Sequence, residues 1–199
     1  MRTIGLFGGT FDPPHVAHLI IAQEALEACR LDEVWFVPSN VPPHVQGKYA
    51  CASAQDRAEM VRLSIQNNDR FKLETSELCR SGPSYTVETL RQLHRKYPDC
   101  IFYFILGADM VSDLKTWHGI GELCRLTRFI GFSRPGYLPD PPKSADLTMI
   151  DIPTLAISSS ALRGRIESGR SCRYFLTDSV ASYIKERQLY GCGRGTTND

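Results

Sequence analysis

What this chain lacks narrows its class. No stretch approaches the roughly 18 consecutive apolar residues of a membrane-spanning helix, so no membrane partner is expected. Charge of either sign is nearly cancelled: 23 Lys and Arg stand against 22 Asp and Glu, a formal net charge of +1. So even a balance produces no long-range field to hold a nucleic acid backbone, and any positive charge must act locally, in a pocket. The seven cysteines, Cys29, Cys51, Cys79, Cys100, Cys124, Cys172 and Cys192, include no Cys-x-x-Cys pair. An odd number at such wide spacing encodes neither a disulfide framework nor a cysteine zinc site. Thiols in apolar or helical patterns behave as small hydrophobes, so these are read as core fillers of a protein kept in a reducing cytoplasm. Gly5, Gly8 and Gly9 do not follow G-x-G-x-x-G, and no G-x-x-x-x-G-K-[ST] loop occurs. The opening Met-Arg-Thr-Ile-Gly-Leu-Phe-Gly-Gly meets glycines too early for a secretory signal and reads as a first strand.

What is there is an ordinary globular balance. With 42% hydrophobic and 23% charged residues over 199 positions, the chain suits one well-buried domain, expected over residues 1–190. Short apolar runs alternate with helical spacing. Thr3 to Phe7 gives a strand, and Leu19, Ala22, Leu26 and Cys29 mark a helix from Val16 to Cys29. Val34 to Val37 gives a second strand. Ala54, Ala58, Val61 and Ile65 mark a second helix, with Ser53 and Asp56 placed for a capping box. Phe71 to Leu73 is a brief strand, and Val87, Leu90, Leu93 and Tyr97 form a third helix stopped by Pro98. Cys100 to Leu106 is a continuous apolar run, the habit of a strand covered on both faces. Leu126 to Phe132 and Leu147 to Ile152 follow as strands. Alternation of this kind predicts an α/β fold with a doubly wound, mostly parallel sheet. Ser133 to Ser144, with four prolines, reads as an exposed loop, and residues 191–199 as a disordered tail.

Chemistry concentrates in two places. After the first strand comes Gly8-Gly9-Thr10-Phe11-Asp12-Pro13-Pro14-His15-Val16-Ala17-His18. Paired glycines let the backbone approach a ligand, and His15 and His18 fall on one face of the helix that follows. The free N–H groups of that helix start make an anion site, so the segment reads as a polyphosphate cradle with two imidazole donors. Competing readings are a zinc pair, which lacks a third ligand nearby in sequence, and purely structural histidines. Late in the chain, Ile157-Ser158-Ser159-Ser160-Ala161-Leu162-Arg163 runs serines into another helix start, which Arg163 can reinforce with a charge-assisted fork. Alone it is an ordinary N-cap; together, the two helix starts can converge on one polyphosphate.

Those two segments resemble the signature pair of the nucleotidyltransferase superfamily with the HxGH motif. Pro38-Ser39-Asn40-Val41-Pro42-Pro43-His44, Ser84-Tyr85-Thr86-Val87-Glu88-Thr89-Leu90, Gly107-Ala108-Asp109 and Trp117 come between them in order, and with these the chain is similar to bacterial nicotinate-nucleotide adenylyltransferases from about residue 3 to residue 190. The resemblance implies a Rossmann-like nucleotidyltransferase fold and adenylyl transfer from ATP to nicotinate mononucleotide, giving nicotinate adenine dinucleotide and pyrophosphate. It implies His15, His18 and Arg163 as catalytic. Gly8, Gly9, Thr10, Phe11, His15, His18, Ser159, Ser160 and Arg163 would bind ATP, and Asn40, His44, Thr86, Asp109 and Trp117 the acceptor, with Trp117 stacked on its pyridine ring. Without the resemblance Trp117 reads equally as core, and Asp109 as an N-cap. Asp12 is read as fixing the loop by accepting backbone N–H bonds. Pro42, Pro43 and His44 are placed in a lid. Mg²⁺ is expected on the nucleotide, with no metal held by the protein itself. A homo-oligomer is left open. Four positions depart from the family pattern: Ala17 for the glycine of HxGH, Ser160 for threonine, Val45 for lysine and His118 for tyrosine. Alternatives are a nicotinamide mononucleotide, phosphopantetheine or flavin mononucleotide acceptor, a non-catalytic nucleotide sensor, and a zinc hydrolase built on His15 and His18.

Overall fold

The computed structural model describes residues 1–40, 50–80, 82–132, 140–153 and 155–192. Six strands form one sheet: β1 (Arg2–Gly9), β2 (Glu33–Pro38), β3 (Phe71–Leu73), β4 (Cys100–Gly107), β5 (Arg128–Phe132) and β6 (Leu147–Ile150). Their order is β3-β2-β1-β4-β5-β6 and every pairing is parallel. Seven α-helices are present among the described residues: α1 (Val16–Ala28), α2 (Ala54–Ile65), α3 (Thr86–Lys96), α4 (Ala108–Asp113), α5 (Ile120–Leu126), α6 (Ser159–Glu167) and α7 (Asp178–Glu186). The expected doubly wound α/β sheet is present, and it is wholly parallel.

Alternation along the strands makes two cores. In β1, Ile4 and Leu6 face one side and Phe7 the other; in β4, Phe102, Phe104 and Leu106 oppose Ile105. Val87, Leu90 and Leu93 of α3 close the first side, and Ala22, Ala25 and Leu26 of α1 with Val61 and Ile65 of α2 close the second. Buried on both faces, such strands read as continuous apolar runs because neither face needs polar residues. A third cluster joins Met60 of α2 to Leu162 of α6 and to Val180 and Ile184 of α7, and Tyr190 and Cys192 pack against it.

Most predicted elements lie within a residue or two of those observed, and α2 begins as its sequence suggested, with the Ser53 hydroxyl accepting from the Asp56 amide. The differences have local reasons. Leu126 ends α5 instead of opening β5, because Thr127 turns the chain and its hydroxyl donates to the Phe102 carbonyl at 2.9 Å. The short α4 and α5 give too few turns for a spacing to register. The cysteines are not core fillers: all seven are free thiols, Cys51 and Cys79 exposed and the other five half-buried at the margins of the clusters. The predicted tail begins at 191, yet Cys192 packs on the third cluster and donates its amide to Leu189. Residues 193–199 and most of the proline-rich loop lie outside the described residues, as do Pro42, Pro43, His44 and Val45.

Candidate active site

In an open parallel sheet, the crevice forms where the strand order reverses, here between β1 and β4. A cleft of about 940 Å³ opens at the carboxyl ends of those strands. One wall begins at Gly8 and Gly9. Their missing side chains serve packing first: a Cβ on Gly8 would stand 3.1 Å from the Phe104 ring, and one on Gly9 only 2.9 Å from the Phe11 ring. Phe11 takes a left-handed φ of 50° and turns its ring inward, edge-on to Phe7 and His18. Burying that ring offsets the roughly 1 kcal/mol cost of the conformation. Gly8, Gly9 and Thr10 therefore line the cleft, while the Phe11 side chain supports it from beneath.

The chain then enters α1, with His15 as its N-cap residue in extended conformation. The backbone N–H of His15 donates to Nδ1 of His18 at 3.1 Å, so the neutral ring of His18 carries its proton on Nε2. The imidazoles stack, with centroids 3.7 Å apart. Both are held in the uncharged form: burial pushes His15 down to about 4, and burial together with the His15 charge pushes His18 well below its ordinary 6.5. Ala17, in the place of a glycine, is buried within the same turn and also lines the cleft.

The second motif arrives from 146 residues away. Ser158 caps α6, accepting from the Ala161 amide, and Ser159 donates its hydroxyl to the Pro13 carbonyl at 2.8 Å. Arg163 donates to the Asp12 carbonyl at 2.7 Å and to the Ser160 hydroxyl at 3.2 Å. The two helix starts meet at one cleft, lined by His15, His18, Ser158 and Ser159. Arg163 and Ser160 are not in that lining: the guanidinium lies against the β1–α1 turn, and Ser160 is exposed. Asp12 accepts backbone N–H bonds as expected, but from a segment 39 and 40 residues further on and not from its own loop. Its carboxylate accepts from the amides of Cys51 and Ala52 and from the Tyr190 hydroxyl, and lies 3.7 Å from Arg163.

The opposite wall collects Ser39, Glu77, Ser84, Thr86, Met110 and Trp117. Thr86 is the first residue of α3, and the Trp117 ring is nearly buried, edge-on to Phe104. Asn40 is not in the lining. Its amide nitrogens reach the Ser84 hydroxyl and the Arg80 carbonyl at 3.1 and 2.9 Å, tying the exit of β2 to the approach to α3. Asp109 lies in the first turn of α4, where Gly107 is the N-cap residue; its carboxylate folds back over Gly107, to 2.6 Å from where a Cβ would stand. His118 packs its ring on Tyr85 at 4.5 Å. Buried Glu77 accepts from Thr89 at 2.7 Å, and burial raises its carboxyl above the usual carboxylate range. Among the described residues no three His, Cys, Asp or Glu side chains gather as a metal would require.

Sequence reasoning missed Arg57, Glu77, Ser158 and Tyr190. Ser158 was visible as the first of three serines. Arg57 and Tyr190 carry no local signal, since each acts on residues distant in sequence, and Glu77 gains its burial only in the fold.

A cytidylyltransferase-like family model matches residues 6–165. The chain is 48% identical over 194 residues to a protein of Oceanobacillus iheyensis named "Probable nicotinate-nucleotide adenylyltransferase", covering 98% of this chain and 100% of that one. A protein of the same name from Geobacillus kaustophilus is 46% identical over 198 residues, covering 100% of this chain and 90% of that one. In fold, the chain is similar to the Plasmodium falciparum nicotinic acid mononucleotide adenylyltransferase complexed with NaAD, with a TM-score of 0.77 at 24% identity over 96% of this chain and 98% of the other.

Proposed function

The chain belongs to the cytidylyltransferase-like family and, within it, to the nicotinate-nucleotide adenylyltransferases, and from that membership we infer how its cleft performs the reaction. The enzyme transfers the adenylyl group of ATP to nicotinate mononucleotide, making the dinucleotide in NAD biosynthesis. A phosphate oxygen of the mononucleotide bonds to the α-phosphorus of ATP, the bond from that phosphorus to the bridging oxygen breaks, and pyrophosphate leaves. The nucleophile is already an anion near neutral pH, so no general base is needed. The barrier is the meeting of two anions, and catalysis is alignment plus neutralisation of charge.

His18 is assigned to the α-phosphate: its Nδ1 is occupied by a backbone amide, which leaves Nε2–H to donate. His15, the backbone of Gly8 to Phe11, Ser158 and Ser159 would lie along the triphosphate. A bound polyphosphate favours a charged imidazole and draws His15 up from its depressed value, while His18 stays neutral with Nδ1 accepting from the His15 amide. Arg163 and Ser160 would reach the β- and γ-phosphates from the edge of the cleft once Arg163 turned from Asp12. Apolar Ile20, Ile21, Ile152, Pro153 and Leu155 suit the adenine face. Thr86 and Trp117 suit the pyridine, with Asp109 and Asn40 shaping that wall. Glu77 is the one carboxylate among the described lining residues. A magnesium ion would come with the nucleotide and not be held by this lining, and would supply charge neutralisation at the phosphates. Free thiols support a cytoplasmic setting.

The observation that carries these assignments is the 2.8 Å bond from Ser159 to Pro13, which joins the two motif turns at one cleft. The test is pyrophosphate release with ATP and each pyridine mononucleotide in turn. The acid is expected to give the higher kcat/KM; a higher value for the amide would overturn the choice of acceptor.

A further inference from the structure

Arg57 is the largest fully buried side chain among the described residues, at 1% exposure. It projects from the first turn of α2, and its Nη1 donates to two carbonyls, Thr10 at 2.8 Å and Ser39 at 2.7 Å. Those residues are the first beyond β1 and β2, both line the cleft, and the Ser39 amide donates to Gly9 at 2.9 Å. Nε of the same guanidinium is buried without a partner among the described residues. Burying a cation this deeply costs several kcal/mol, and an apolar side chain would fill the space between α2 and the sheet without that cost.

The two bonds have a directional consequence. In a trans peptide, C=O and N–H point to opposite sides. Holding the Thr10 carbonyl towards α2 turns the Phe11 N–H the other way, and holding the Ser39 carbonyl turns the Asn40 N–H to the Ser84 hydroxyl, where it donates at 3.1 Å. One buried side chain thus sets a peptide plane on each wall. Its charge lies behind the cradle, opposed by Asp12, whose carboxylate also faces Arg163.

We propose that Arg57 is a positioning residue for adenylyl transfer: it holds the exit of β1 in the orientation that receives the triphosphate and braces it on the exit of β2. The inference rests on the adenylyltransferase reading above. Two variants test it: Arg57→Met, which keeps bulk but neither bond nor charge, and Arg57→Lys, which keeps the charge and part of the bonding. Binding of ATP and of adenosine to each folded variant is measured by calorimetry, beside steady-state kinetics. In Arg57→Met the ratio of ATP affinity to adenosine affinity is expected to fall about tenfold or more. In Arg57→Lys it should fall about threefold or more, with kcat down about tenfold and the KM for nicotinate mononucleotide within about threefold of wild type. A general loss of stability would lower both affinities together and leave their ratio unchanged. Should Arg57→Met fail to fold, Arg57→Lys decides. A ratio that drops less than threefold in every folded variant overturns the proposal. Failure of wild-type protein to release pyrophosphate is a separate result and would instead overturn the reading of the reaction.

Discussion

The phosphate wall and the acceptor wall, as assigned above, both line the cleft at the ends of β1 and β4, yet they are held by different means. The phosphate wall consists of two continuous turns, residues 8–18 and 157–163, locked from behind by charge: Arg57 on the Thr10 carbonyl, Asp12 on two amides and the Tyr190 hydroxyl, and Arg163 on Asp12. The acceptor wall is assembled from short separated pieces at Ser39, Glu77, Ser84, Thr86, Met110 and Trp117, joined chiefly by side-chain hydrogen bonds such as Thr89 to Glu77 and the Asn40 amide to Ser84. A triphosphate presents the same charged oxygens every time, and a rigid backbone cradle suits it. An acceptor is told from its analogues by small differences in shape and one charge, and scattered side chains adjust to those separately.

The largest expected break in this comparison is on the phosphate side. His18→Ala should lower kcat by about 100-fold or more while ATP binding survives in part, because Nε2–H is aimed at charge that grows in the transition state. Steady-state kinetics check it, and unchanged turnover would remove His18 from the mechanism. Next comes the acid response of the same wall. His15 titrates at about 4 in the folded protein against its ordinary 6.5, so the unfolded chain takes up the proton first. Stability should therefore fall as pH drops from about 6.5 towards 4, by on the order of 3 kcal/mol, and urea titrations across that window measure it. Saturating ATP should shrink the loss, since bound phosphate charge favours the imidazolium and brings the folded value back towards the unfolded one.

On the acceptor side the effects should be smaller and selective. Trp117→Ala is expected to raise the KM for nicotinate mononucleotide about tenfold, and that for ATP much less. Because the ring is also core, Trp117→Phe should retain stability with a smaller rise, and equal effects on both substrates would count against a stacking role. Smallest is Glu77→Gln. Burial raises the Glu77 carboxyl above its ordinary 4.5, so the folded protein holds that proton more tightly than the unfolded chain, and the ionised group costs stability once pH rises past that value. The variant should melt slightly higher than wild type near pH 7, by about 2 °C, and no higher at pH 4. Differential scanning calorimetry at the two values separates these outcomes.

The unequal construction of the walls also decided how much could be read in advance. The turn holding His15 and His18 and the turn holding Ser159 and Arg163 are contiguous, so glycine pairs, imidazole spacing and serine runs announce a phosphate site before any fold is known. The acceptor pieces become meaningful only in order along the chain, as a family resemblance; singly, Trp117 and Asp109 read as core and cap. Arg57 shows the limit most clearly. In sequence it is one more cation on an amphipathic helix, and its two carbonyl partners lie 47 and 18 residues away.

Periodicity and turn chemistry along the chain were enough to specify a wound α/β sheet and two helix starts suited to an anion, because both follow from the spacing of near neighbours. Which helix start meets which, where Arg163 rests, and that a buried guanidinium braces both strand exits were settled by packing. Those contacts join positions tens to more than a hundred residues apart, and it is the crossover order of the parallel strands that brings them within hydrogen-bonding distance.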